Sequence, residues 1–220
     1  RYLFQPYHWF LNRHSSDFGK IILSETDFII SSGFREIFEI IARGMIVIVI
    51  LILLLFVDPH LTFITFSFLG ISYFIIFFFV RKHLNKIGTK RLKNNQTRFA
   101  TVSEAFGAIK TIKVGSLEQA YINEFSIAAL IFAKTQASAS VISLLPRFFL
   151  EAVAFGGILL IMLIFVSKNG SFVEILPIAS LYIFAGYRIL PSLQLIYRSI
   201  AQVTFVIPSL DKLYNDVKNI

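Results

Sequence analysis

Arg188 stands inside an apolar stretch that runs from about position 175 to 210. A charge held within a bilayer costs about 2.5–3.5 kcal/mol on insertion scales, so it faces a partner or a wet cavity. A guanidinium fork matches the paired oxygens of a pyrophosphate, which makes anion contact the chemistry Arg188 could do. The alternative is an arginine that reaches to a membrane interface or pairs with a carboxylate on another helix. Arg147 and Glu151 lie four residues apart and read as an intrahelical ion pair at a membrane boundary. Arg147 could still draw an anionic headgroup to a cavity mouth before Arg188 receives it. Glu39 and Arg43 repeat the spacing and read as a structural pair.

Other chemistries find little support. The chain has no cysteine, which excludes disulfides, thiolate metal sites and cysteine nucleophiles. His8, His14, His60 and His83 are scattered without ligand spacing, so no metal is expected. Asp17 and Glu25 read as helix caps or contacts to a partner domain rather than a catalytic pair. An intramembrane enzyme acting on lipid phosphates would want His or Asp clustered in the apolar runs, and none is there. No Gly-x-x-x-x-Gly-Lys-Ser/Thr loop occurs, so no catalytic site or bound cofactor is expected in this chain.

The elements that must position these residues are written in the composition. Hydrophobic residues make up 56% of the chain, Phe alone accounts for 25 of its 220 residues, and only 15% are charged, a balance suited to lipid rather than water. Mean hydropathy is +0.73. At about 1.5 Å per residue, roughly 20 residues cross a bilayer core. Four spans meet that length: 37–57, 61–80, 148–166 and one beginning near 175. Asp58-Pro59-His60 is the turn between the first two, since Pro59 cannot continue the preceding helix. Ser167-Lys168-Asn169-Gly170-Ser171 separates the last two. Pro177, Pro191 and Pro208 predict kinks in the fourth, which should continue as helix beyond the membrane. Arg81, Lys82, Lys86, Lys90, Arg91, Lys93, Arg98, Lys110 and Lys113 fall between spans two and three, so that connection is cytoplasmic, as are both ends. The net charge of +8 follows from this topology signal and a surface meeting anionic lipid; nucleic-acid binding is not expected, because Phe99 alone is near the basic run.

The connection from Arg81 to Arg147 has helical period. Phe99, Val102, Phe106, Ile109 and Ile112 form one apolar stripe and Tyr121, Phe125, Ala128 and Phe132 another, with a break at Gly115-Ser116. The spacing predicts two amphipathic helices and a turn at about 115–120, a stalk able to carry a force between a membrane bundle and a soluble partner. The first 36 residues repeat the device on a smaller scale, with a polar turn at about 13–20 and Ser24 and Asp27 as a capping box. Tyr7 and Trp9 read as interfacial anchors. Gly70, Gly156 and Gly157 read as places where helices pack closely.

This arrangement resembles the transmembrane domain of exporter-type ATP-binding cassette (ABC) transporters. The resemblance covers essentially the whole chain, from within the family's second helix to its sixth. It is carried by the run Arg13-His14-Ser15-Ser16-Asp17-Phe18-Gly19-Lys20 and by Glu104-Ala105-Phe106-Gly107-Ala108-Ile109-Lys110-Thr111-Ile112-Lys113 followed by Gly115-Ser116-Leu117-Glu118. Leu145-Pro146-Arg147-Phe148-Phe149-Leu150-Glu151-Ala152 and Phe184-Ala185-Gly186-Tyr187-Arg188-Ile189-Leu190-Pro191 are similar to bacterial flippases of lipid-linked oligosaccharides for protein glycosylation.

What the resemblance implies is an all-α membrane protein, a fragment of an ABC exporter transmembrane domain with four long transmembrane helices extending into the cytoplasm. His14, Ser15, Ser16 and Asp17, and Gly115, Ser116, Leu117 and Glu118, would couple to a nucleotide-binding domain in the same polypeptide. That domain, following a linker at 211–220, would hold ATP and Mg. Arg147 and Arg188 would contact the pyrophosphate or anionic headgroup of a lipid. The protein would be a homodimer in a bacterial inner membrane, and the whole an ATP-hydrolysing translocase. The alternatives are a multidrug, peptide or other lipid exporter, and a non-transporting anchor for a soluble partner.

Overall fold

The computed structural model describes residues 6, 7, 11, 18–167 and 172–218; the backbone alone is described at 61, 65, 68, 69, 146–150, 152–155, 157–167 and 172–179. From 18 onward only Asp58, Ala108, Ser116 and Leu117 fall outside helices among the described residues, and no strand occurs among them. The elements are α1 (Lys20–Val57), α2 (Pro59–Gly107), α3 (Ile109–Gly115), α4 (Glu118–Ser167) and α5 (Phe172–Lys218). Nothing described is left for a sheet to be built from, and the chain is all-α.

The breaks are short and each has a local cause. Asp58 is the N-cap of α2: its carboxylate accepts the His60 N–H at 3.0 Å, and Pro59 takes the first helical position, where its missing N–H costs nothing. The expected three-residue turn is thus a single residue wide. At the far end of α2, Ala108 leaves the helical region at φ −111° and ψ 29°, and the chain restarts as α3. Ser116 follows in the left-handed conformation at φ 51°. The Leu117 N–H donates to the Ile112 carbonyl at 3.1 Å, six residues closing on one as in a Schellman ending. Gly115 makes room for that fold-back, since a Cβ there would lie 3.3 Å from the Leu117 side chain.

Two stretches of α1 are wound as π-helix, Lys20–Glu25 and Ile30–Phe34. In the first, the Thr26 hydroxyl joins its own N–H on the Ile21 carbonyl, five residues back; the second contains Ser31, Ser32 and Gly33, small residues that tolerate distortion. The chain therefore runs through Ser24 as helix, and the expected capping box with Asp27 does not form; no side chain caps Thr26–Ile29. Pro146 in α4 and Pro177, Pro191 and Pro208 in α5 sit within continuous helices.

The chain divides into two compact units. One comprises Arg1–Arg35, Arg81–Ser140 and Gln202–Ile220, the other Glu36–Val80 and Val141–Ala201. In the first, Phe28 and Phe205 meet edge to face at 6.0 Å, and Leu84, Ile87, Phe205 and Val206 are buried; each such side chain contributes about 1.5–3 kcal/mol of burial. Gly88 lets α2 touch the backbone of α5 there, since a Cβ on it would lie 2.5 Å from the Phe205 carbonyl oxygen. Among the described residues nothing lies within 4 Å of a Cβ at Gly70 or Gly156, where close approaches are expected from the sequence. Gly157 is described only as backbone. In the second unit Leu54, Ala185 and Ile189 form a small core with Ile50, Phe66, Leu181, Tyr182 and Leu193 around it. Its polar contacts include the Thr62 and Tyr182 hydroxyls, which meet at 2.9 Å, and the Ser199 hydroxyl, which donates to Glu36 at 2.6 Å.

That second unit also presents Met45, Phe56, Phe63, Phe74, Phe78 and Phe79 outward, a run of large apolar side chains that water would not favour. Among the described residues two segments are long and apolar enough to cross a membrane, Lys20–Val57 and Glu118–Leu145. The first contains the expected span 37–57. The second precedes the expected third span along the same helix, in the leg read from sequence as cytoplasmic.

Candidate functional site

The tip formed by the end of α2, α3 and the start of α4 gathers Gly115, Ser116, Leu117 and Glu118 in one turn. Lys113 donates to the Glu118 carboxylate at 2.9 Å across it, and that hydrogen bond holds the Glu118 pKa below the ordinary carboxylate value. Val114 is 89% exposed and Leu117 is also outward. Of the apolar stripe expected to pack one face of the first leg, only Ile112 is buried; Val102, Phe106 and Ile109 are exposed, with Phe106 at 73%. The second stripe packs better, with Ala128 buried and Phe125 and Phe132 half-buried. The tip therefore carries apolar side chains that the described residues leave uncovered. Of the other expected coupling turn, His14, Ser15, Ser16 and Asp17 lie outside the described residues, as does Trp9.

A buried polar cluster braces the hairpin in the same unit. The Arg91 guanidinium donates to Glu25 at 2.8 Å and to the Ser209 hydroxyl at 3.2 Å, and Ser209 itself donates to Glu25 at 2.8 Å. The Asn95 amide nitrogen reaches the other Glu25 oxygen at 2.6 Å and the Ser24 hydroxyl at 3.1 Å. Glu25, Arg91, Asn95 and Ser209 are each no more than 2% exposed. Phe28 lies under the Arg91 guanidinium at 3.5 Å, and Phe132 of α4 lies 4.3 Å from Arg98, which donates to the Asn95 carbonyl oxygen at 3.2 Å. One cluster thus joins α1, α2 and the end of α5, with α4 stacked on its arginines. Burial pulls the Arg91 pKa below its ordinary value, and Glu25 only partly restores it.

From sequence Glu25 reads as a cap or partner contact and Arg91 as part of a topology signal; in the structure both are interior groups. A signal was present. Leu84, Ile87, Gly88, Arg91 and Asn95 recur at intervals of three and four and are all buried, whereas Lys86, Lys90 and Lys93 fall out of that phase and are exposed.

The anion candidates belong to the other unit. Arg188 is exposed, on a face of α5 shared with Phe184, Tyr187 and Pro191, while Ala185, Ile189 and Ser192 point to the interior. Arg147 is described only as backbone, so its expected pairing with Glu151 lies outside the described side chains; Glu151 accepts from Gln194 at 3.1 Å. Glu39 and Arg43 form the expected pair at 2.8 Å. Arg198 is a second charge in the same apolar run as Arg188, without the isolation that marks Arg188 in the sequence. It borders a cavity of about 300 Å³ with Tyr73, Glu151, Gln194 and Tyr197.

Compared with known families, residues 1–185 match the family model described as the ABC transporter transmembrane region.

Proposed function

Because the chain belongs to the ABC transporter transmembrane region family, and is therefore a membrane protein whose relatives normally work with a nucleotide-binding domain and often as dimers, we propose that it forms the substrate pathway of an ATP-driven exporter moving a lipid-linked oligosaccharide or a related lipid. Four spans, within α1, α2, α4 and α5, would line that pathway in a homodimer in a bacterial inner membrane. The observation that carries the reading is the helical hairpin ending in a tight turn with exposed Val114 and Leu117. Exposed apolar side chains at such a tip suit a protein partner. ATP and Mg would bind that partner, whose closure would push on the turn at Gly115, Ser116, Leu117 and Glu118 and on the turn at His14, Ser15, Ser16 and Asp17.

Val102, Phe106 and Ile109 form an uncovered apolar stripe on one leg, which a second copy of the chain would bury. Arg188, on an outward face of α5 with Tyr187, and Arg147 would offer guanidinium donors to a pyrophosphate.

The substrate class is tested by reconstituting the transporter with its nucleotide-binding domain and measuring turnover of a polyprenyl-pyrophosphate oligosaccharide alongside ATP hydrolysis. Arg188→Ala and Arg147→Ala should lower lipid turnover far more than basal hydrolysis. Normal turnover in both would end the anion-contact assignment. Leu117→Asp should abolish the rise in hydrolysis caused by substrate while basal hydrolysis persists; a stimulated rate equal to wild type would show that the tip does not couple.

A further inference from the structure

We propose that the cavity between Tyr73, Glu151, Gln194, Tyr197 and Arg198 is a binding subsite for a neutral group bearing neighbouring hydroxyls. The inference rests on the chain lining a transport route and assigns that route a chemical preference.

The phenol hydroxyls of Tyr73 and Tyr197 are both buried, and neither has a hydrogen-bond partner among the described residues. Tyr197 is only 4% exposed. A buried hydroxyl without a partner is expensive, and structures retain one where something else completes it. Both phenols line the same cavity. Their rings stand 6.0 Å apart at 42°, giving the space an apolar wall with a donor on each side. Gln194 uses its N–H on Glu151, which leaves the amide carbonyl as an acceptor.

The charges select the guest. Glu151 would repel an anion and Arg198 a cation, so a full charge of either sign meets one opposing group. A neutral guest with alternating donors and acceptors meets none, and it satisfies the two phenols and the amide carbonyl together. At about 300 Å³ the space is at the small end of ligand pockets, enough for one ring or a short polyol rather than a chain. Two sources share this chemistry: a sugar ring of the transported molecule, and the glycerol headgroup of a bilayer lipid.

Saturation-transfer NMR on the purified transporter with its nucleotide-binding domain, using methyl glucoside and glycerol as probes, tests the assignment. Tyr73→Phe/Tyr197→Phe removes only the two unpartnered hydroxyls, so folding is retained, and affinity should fall on the order of tenfold for two lost hydrogen bonds. Leu144→Trp, at an exposed rim position, should block the cavity independently. Binding of the glucoside alone points to the sugar source and binding of glycerol alone to the headgroup; either supports the subsite. It is overturned if neither probe binds wild type, or if the tyrosine variant binds as wild type does. Lipid turnover by the same samples separates the two ideas. Tyrosine-dependent glucoside binding without oligosaccharide turnover ends the function proposed above and keeps the subsite. Turnover with no loss of probe affinity in the tyrosine variant does the reverse.

Discussion

Replacing Arg91 by Met should destabilise the hairpin unit by about 3–5 kcal/mol, the usual result of removing one member of a dry ion pair. Arg91 and Glu25 are 3% and 2% exposed at the side chain and 2.8 Å apart, so no solvent discount applies. The loss arises chiefly from the Glu25 carboxylate left behind, still bonded to Asn95 and Ser209 but with no counter-charge. Taking both charges out of water offsets much of their mutual attraction, which sets the expected sign for the second variant. In Glu25→Met/Arg91→Met no charge is stranded. Ser209 loses both partners at a cost of about 1–3 kcal/mol, Asn95 keeps Ser24, and the apolar replacement of a buried pair returns about 0–4 kcal/mol. The double variant should therefore lie within about 2–3 kcal/mol of wild type and be more stable than Arg91→Met alone. Thermal unfolding of the detergent-solubilised transporter reads this out: at about 2–4 °C per kcal/mol, the single variant loses about 6–20 °C and the double variant recovers most of it. The reasoning is refuted if Arg91→Met costs under 1 kcal/mol, as a wetted surface pair would, or if the double loss equals the sum of the two single losses.

Gly88→Ala should cost about 1–3 kcal/mol and lower folded yield, because its Cβ meets the Phe205 carbonyl at 2.5 Å; Gly70→Ala, with open space around it, is the control and should be neutral in the same thermal scan. Asp58→Ala removes the cap of α2 and should cost about 1 kcal/mol, whereas Asp58→Asn should retain most of it. The hydrogen bond from Lys113 lowers the Glu118 pKa in the folded protein, so its contribution is present above the ordinary carboxylate value and lost as pH falls through the lowered one; in Lys113→Ala a titration of Glu118 by NMR should return it toward that ordinary value.

The long helices and their ends were readable because each break is made by local chemistry: Asp58 with Pro59 at one end of α2, Gly115 with Ser116 after α3. The Glu39–Arg43 pair was readable for the same reason, four residues on one helix. Partnership across distant positions was not. Glu25 and Arg91 are 66 residues apart, and an arginine in a basic run carries no mark of burial except its phase with Leu84 and Ile87. Gly88 and Gly70 look alike in sequence because a glycine permits close approach without requiring it; the carbonyl of Phe205 makes the difference at Gly88. The cavity at Tyr73 and Tyr197 draws on α2, α4 and α5, which no spacing rule brings together.

α4 runs for 50 residues from Glu118 to Ser167 without interruption, which at about 1.5 Å per residue makes a rod of about 75 Å. A bilayer core of about 30 Å can swallow less than half of that.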